Sequence, residues 1–147
     1  MNSGHPSFWR VGCAGVLLAG FLLIAGCEQV SEQQAQQREL VAAGRSSFRA
    51  YCAGCHGVDA TGGGPTADYM TVEPADLTRI AENYGRYPAE LVYKRIDGSE
   101  IDTTQESLQM PHWGRIWRGA TPDMANREDT HARVEELVAY LRSVQVE

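Results

Sequence analysis

The sequence predicts an all-α fold, and three stretches carry that prediction. Leu40, Gly44, Phe48 and Tyr51 fall on one face of a helix. Near the C-terminus Val134, Leu137, Val138 and Leu141 repeat at i, i+3, i+4 and i+7, with Tyr140 beside them. Asp129 or Thr130 can cap the start of that helix. Between these two, Pro88 to Asp97 has Pro in its first turn, Leu91, Val92 and Ile96 directed inward, and Gly98 as a stop. A shorter helix is expected over 76–83, ending near Gly85, and residues 99–109 read as a polar loop.

Length and composition bound what these helices can build. The chain has 147 residues, 43% hydrophobic and 22% charged, an ordinary globular composition. If the first 26 residues are removed, about 121 remain, enough for one small domain and not two. Few of the remaining residues are large aromatics, so something other than side chains is expected to help fill the core. The formal net charge is -6, and losing residues 1–26 takes away Arg10 and no acid, which leaves about -7. Twelve of the thirteen basic residues are Arg, and none form a tract. Phosphate backbones need clustered cations, so nucleic acid is excluded as a partner.

The N-terminus reads as an address. Met1 to Arg10 holds one positive side chain and no acid, and Val11 to Ala25 is almost wholly apolar or Gly. Those 15 residues are short for a bilayer span and suit a secretory signal. The segment ends in Leu23-Ile24-Ala25-Gly26-Cys27, which resembles the lipobox of bacterial lipoproteins. The resemblance implies cleavage before Cys27 and acylation of its thiol, with more than one acyl chain giving stable anchoring. It also implies a periplasm-facing position, and Glu28 after the Cys tilts that toward the outer membrane. An ordinary signal peptide or an uncleaved anchor is the plainer alternative. Residues 27–38, Gln-rich and polar, read as a tether between lipid and domain, with Ser31 and Gln34 placed to start a helix as a capping box. The remaining domain is 39–147.

The chemistry is expected at Cys52-Ala53-Gly54-Cys55-His56. This C-x-x-C-H pattern is the attachment signature of c-type haem. Three residues of separation on a helical turn present both thiols to one edge of the porphyrin, where they add to the two vinyl groups. His56 then projects over the ring to ligate iron. A thioredoxin-like dithiol would need strands around it, and no strand pattern is present. A zinc site would need a second Cys or His pair at finger spacing, and none follows. Cys13 leaves with the signal, so Cys52 and Cys55 are free for one covalent haem c.

Gly44, Phe48, Tyr51 and the haem motif together resemble class I cytochrome c, over residues 39–145. The resemblance implies that Gly44 lets the C-terminal helix cross closely. It also implies an axial Met-Pro before the last helix, which Met110-Pro111 supplies. Pro biases Met110 toward extended backbone, where a thioether can be aimed without helical constraint. Met70 and Met124 are the alternatives, as packing residues first and ligands second, and His112 and His131 could also ligate. The family's Pro carbonyl that accepts the axial His Nδ1 hydrogen is matched here by Pro65 in Gly62-Gly63-Gly64-Pro65. Such a bond orients the ring and raises its basicity. Those glycines would let the backbone pass close to the porphyrin. Trp113 and Trp117 shelter the haem edge or staple their loop to the core. Arg79, Arg86, Arg95 and Arg115 are candidate partners of the haem propionates.

The expected function is one-electron transfer. His56 and Met110 would close both axial positions, and such ligation raises the reduction potential. The partners would be a redox donor and acceptor, with the acidic surface suiting a basic docking patch. Two readings compete: a haem gas sensor or enzyme whose distal ligand dissociates, and a fixed electron-transfer subunit of a larger oxidoreductase.

Overall fold

A computed structural model describes the backbone of residues 14–99, 110–119 and 124–146, with side chains from residue 30 onward. Among the described residues there are helices and turns and no strand. The α-helices of the described residues are, in order, α1 Ala14–Tyr51, α2 Ala53–His56, α3 Ile80–Tyr84, α4 Ala89–Asp97, α5 Trp113–Arg118 and α6 Met124–Ser143. The chain divides into two units, Met1–Gln36 and Gln37–Glu147.

In the first unit, the Gln-rich segment differs from expectation. Helix α1 runs through it without a start at Ser31. Gln, Glu and Ala are strong helix formers, and neither Gly nor Pro occurs between Glu28 and Ala43 to interrupt them. Residues 30–36 are exposed along this stretch. Among the described residues, no helix is long and apolar enough to cross a membrane.

The second unit is built on a crossing of α1 and α6. Phe48, Val134 and Leu137 are fully buried, and Tyr140 and Leu141 are nearly so. The Phe48 and Tyr140 rings lie 5.2 Å apart at a tilt. At Gly44 the two backbones nearly touch. A Cβ there would overlap the carbonyl of Glu136 and lie 2.8 Å from the Tyr140 Cβ. The small residue expected to permit a close crossing therefore does so. Val92 and Ile96 of α4 close the core from a third side.

Helix ends follow the sequence at some places and not others. Helix α4 begins after Pro88 and ends at Gly98, which is left-handed with φ 76° and returns its N–H to the Lys94 carbonyl. The helix expected over 76–83 is split. A 3₁₀ turn, Leu77–Arg79, is capped by Asp76, whose carboxylate accepts from the Thr78 N–H at 2.9 Å. Helix α3 then runs to the left-handed Gly85. Helix α6 starts before the expected caps, so Asp129 and Thr130 lie inside it. Met124, Ala125, Arg127 and Glu128 favour helix, and nothing in that run stops it.

The C-terminus is pinned across the 3₁₀ turn. The Gln145 amide donates to the Leu77 carbonyl at 2.8 Å and accepts from the Ala81 N–H at 2.8 Å. The Val146 N–H reaches the Thr78 carbonyl at 2.9 Å. These bonds hold residues 75–81 against the last helix, and that segment forms one wall of the site.

Candidate functional site

The motif stands on a short helical turn directly after α1. The Cys52 N–H still bonds the Phe48 carbonyl at 2.8 Å, and the His56 N–H bonds the Cys52 carbonyl at 2.9 Å. Cys52 and Cys55 are thus carried on one unit of backbone continuous with the buried Phe48. The following loop folds back onto this turn. Gly62 donates to the His56 carbonyl at 2.8 Å, Gly64 to the Cys55 carbonyl at 3.0 Å, and the Thr66 N–H to the Gly54 carbonyl at 2.9 Å. The Thr66 hydroxyl also donates to Gly54 at 2.7 Å. A Cβ on Gly64 would overlap the Gly54 carbonyl and stand 2.6 Å from the Cys55 carbonyl carbon. Gly64 thus lets the loop approach the motif's own backbone, whereas Gly62 makes room for the Pro74 carbonyl and Gly63 is unconfined.

That fold-back corrects the expectation for Pro65. Pro65 is exposed, and the His56 Nδ1 lies 3.0 Å from the carbonyl of Ala75 instead. The residues after His56 are spent bonding to Gly54, Cys55 and His56, so the chain returns to the imidazole only at Ala75, 19 residues after His56. Ala75 is fixed there on both sides: Pro74 precedes it, and the Leu77 N–H bonds the Ala60 carbonyl at 2.8 Å. A carbonyl can only accept, so Nδ1 carries the hydrogen and the Nε2 lone pair is free. Burial lowers the His56 pKa and so favours the neutral ring, against the opposing effect of the Ala75 bond. Burial, and secondarily the neighbouring Cys55, push the Cys52 thiol up to about 12, so it is uncharged at neutral pH.

Cys52, Cys55, His56 and Met110 line one cavity of about 260 Å³. Its floor is core: Phe48, Val92, Ile96, Leu137 and Leu141. Pro74, Ala75, Leu77 and Ile80 form the wall beside His56, and Pro111 and Trp113 stand with Met110. The charged lining residues are Glu73 and Arg95.

Of the other candidates, Met70 lines the same cavity, whereas Met124 is 78% exposed and does not. His112 does not line it, and His131 sits on the surface with its Nδ1 2.8 Å from the Tyr93 hydroxyl. Arg95 is the one candidate propionate partner on the cavity. Arg79 pairs with Glu82 at the surface, and Arg86 and Arg115 are exposed. Trp113 and Trp117 stack at 5.5 Å and both meet the Tyr51 ring, at 5.4 and 5.2 Å. The guanidinium of Arg133 covers Trp117 at 5.1 Å. The pair therefore staples α5 to α1 and α6, and Trp113 lines the cavity as well. The side chain of Cys27 lies outside the described residues.

Reading the sequence missed the Ala75 carbonyl. Its signal was Glu73-Pro74, where a proline biases the chain toward extended backbone. It also missed Thr66, whose hydroxyl lies 3.2 Å from the Cys55 Sγ.

Among protein families, the model of the family described as Cytochrome c matches residues 41–145. The comparisons with curated proteins and with solved structures return no match.

Proposed function

The chain belongs to the cytochrome c family, and from that premise we propose that it is a mono-haem electron carrier tethered by lipid to a periplasm-facing bacterial membrane. The family binds haem c covalently and serves in electron transfer. The finer statements are our reading: one haem, held through Cys52 and Cys55, with His56 and Met110 as axial ligands, and Cys27 as the lipidated N-terminus.

The residues suit that group. Two thiols stand one helical turn apart, an imidazole offers a free Nε2, and a thioether shares an apolar cavity with them. The observation that carries the reading is the His56–Ala75 bond at 3.0 Å, which fixes one tautomer in the cavity that holds Met110. Haem bound there supplies a one-electron iron couple. The protein's part is to hold and shield. The Ala75 carbonyl orients the imidazole and raises its basicity. The Met110 thioether, a soft neutral donor, favours the reduced metal. Leu137, Leu141, Val92 and Ile96 exclude water, which limits reorganisation when charge changes. Arg95 is placed to balance a carboxylate at the cavity wall. With His56 and Met110 both holding the iron, no position would be left for a substrate, and electron transfer would be the activity that remains.

The Ala25-Gly26-Cys27 end of the apolar segment supports the anchor and the export. Outer-membrane placement rests on Glu28. An acidic mature chain suits redox partners with basic docking patches.

Optical spectra of the purified holoprotein with and without carbon monoxide test the ligand set. The ferric protein should show the weak far-red band of a methionine–iron bond, and the ferrous protein should bind carbon monoxide poorly. Met110→Ala should abolish the band and admit carbon monoxide, while Met70→Ala and Met124→Ala should do neither. Ready carbon monoxide binding by the parent protein would instead favour a sensor or an enzyme.

A further inference from the structure

Met110 is followed at once by Pro111 and helix α5, and among the described residues what holds it along the chain lies on that C-terminal side. Beside its packing on α6, two contacts fix α5. The aromatic staple on Tyr51 is one, and flat rings can slide over one another. The second is a lock that ties the end of α4 to both ends of α5. Asp97, the last residue of α4, has a side chain only 10% exposed, yet it carries a carboxylate. It is paired there with Arg118, the last residue of α5, whose side chain is 30% exposed. Two glycines bring the backbones together around this pair. A Cβ on Gly114 would overlap the Asp97 carboxylate and stand 2.6 Å from the Asp97 carbonyl oxygen. A Cβ on Gly98, at φ +76°, would stand 2.6 Å from the Cβ of His112.

A buried ion pair is weak evidence for stability, because desolvation offsets attraction. What it does supply is a unique geometry, since a charge without its partner cannot remain buried. We propose that the Asp97–Arg118 pair, seated between Gly98 and Gly114, is the positioning device for Met110: it sets the register of α5 on α4 and so holds the thioether at the cavity. Neither Asp97 nor Arg118 lines the cavity, and they act through α5, as positioning residues. The inference rests on the reading of Met110 as the distal ligand.

The test uses holoprotein, with two optical readouts that a merely stabilising contact leaves alone: the far-red band and the rate of carbon monoxide binding to the ferrous form. Arg118→Gln strands the Asp97 carboxylate. The band should be lost, and carbon monoxide should bind roughly tenfold faster or more, because the rate through an open minor state follows its population. Asp97→Ala leaves unpaired only Arg118, whose side chain is 30% exposed and long enough to turn to solvent, so it reads the same point if Arg118→Gln fails to fold, and the same two changes are expected. Glu90→Gln removes the exposed Glu90–Lys94 pair on α4 and should leave both readouts at the parent's values. A band and rate unchanged in the folded Asp97→Ala protein overturn the proposal, as does an equal effect from Glu90→Gln. Met110→Ala separates the two ideas. If it keeps the band, the ligand reading is wrong. If it loses the band while Asp97→Ala keeps it, the ligand reading stands and the positioning role falls.

Discussion

Replacing Gly44 by Ala isolates the crossing on which the domain is built. In an isolated helix this change is favourable by about 1 kcal/mol, since Gly is the poorer helix former. Here the new methyl would overlap the Glu136 carbonyl oxygen, and it would meet the Glu136 carbonyl carbon at 2.5 Å and the Tyr140 Cβ at 2.8 Å. Two of those three atoms are backbone, so no rotamer change relieves the contact. The two helices must separate, and they do so at Phe48, Val134 and Leu137, which are fully buried between them. Overpacking of this kind costs about 1–3 kcal/mol, occasionally more, and a backbone obstacle puts Gly44→Ala at or beyond the top of that range. After subtracting the helix-propensity gain, the net loss is about 2 kcal/mol, or roughly 10 °C in melting midpoint for a domain of this size. Thermal unfolding of the holoprotein, followed by circular dichroism, measures it. Gly63→Ala provides the contrast, because a Cβ at that position meets nothing within 4 Å. It should leave the midpoint unchanged or raise it slightly. A Gly44→Ala protein as stable as its parent would refute the close crossing.

Much of the helical layout was legible because burial imposes a period on sequence. The i, i+3, i+4, i+7 run of α6 and the Gly44/Phe48 face of α1 recur as the buried core. Pro88 and Gly98 bracket α4 because each has a backbone preference that acts locally. Helix starts were less legible where several weak signals competed. Ser31–Gln34 resembles a capping box, but a cap matters only if the helix would otherwise begin there, and α1 already runs through it. Asp129 and Thr130 resemble caps in the same way, and they lie inside α6 because the residues before them are equally willing helix formers.

The site divides along the same line. Cys52, Cys55 and His56 are legible as a local pattern, and they line one cavity with Met110, which shares no local signal with them. The Pro65 expectation failed for a reason of path length. A proline near the motif is a local cue, whereas the carbonyl that reaches His56 depends on how many residues the loop uses in bonding back to Gly54, Cys55 and His56. Neither composition nor periodicity records that number. The Asp97–Arg118 pairing is invisible for the same reason, since it joins residues 21 positions apart through two glycines whose fit appears only in three dimensions.

Three further outcomes are expected. Asp76 is held below the usual carboxylate range by the Thr78 hydroxyl and N–H, so its contribution is present above the unfolded-state pKa of about 4 and is lost as pH falls through the folded value. Asp76→Ala should therefore lower the melting midpoint at neutral pH, and the difference from the parent should shrink below about pH 4; a difference constant with pH would contradict this. Mass spectrometry of membrane-extracted protein should find an N-terminal Cys27 bearing acyl groups, and Cys27→Ser should be unanchored or unprocessed; an unmodified parent protein free in the periplasm would sink the anchor. Finally, haem should be needed for the fold itself. Phe48, Leu137, Leu141, Val92 and Ile96 are the centre of the core, and each also lines the cavity, so the core has one face only when something apolar fills it. Without that occupant, those side chains would face an unfilled cavity of about 260 Å³ and lose the packing contacts that offset chain entropy. Few aromatics remain elsewhere to make a second core. Joint replacement of Cys52 and Cys55 by Ala should give a chain that retains no haem through acid–acetone extraction and melts without a cooperative transition. A sharp transition in the haem-free chain would show that helix packing around Gly44 suffices, and that the cavity is a binding site within a finished fold.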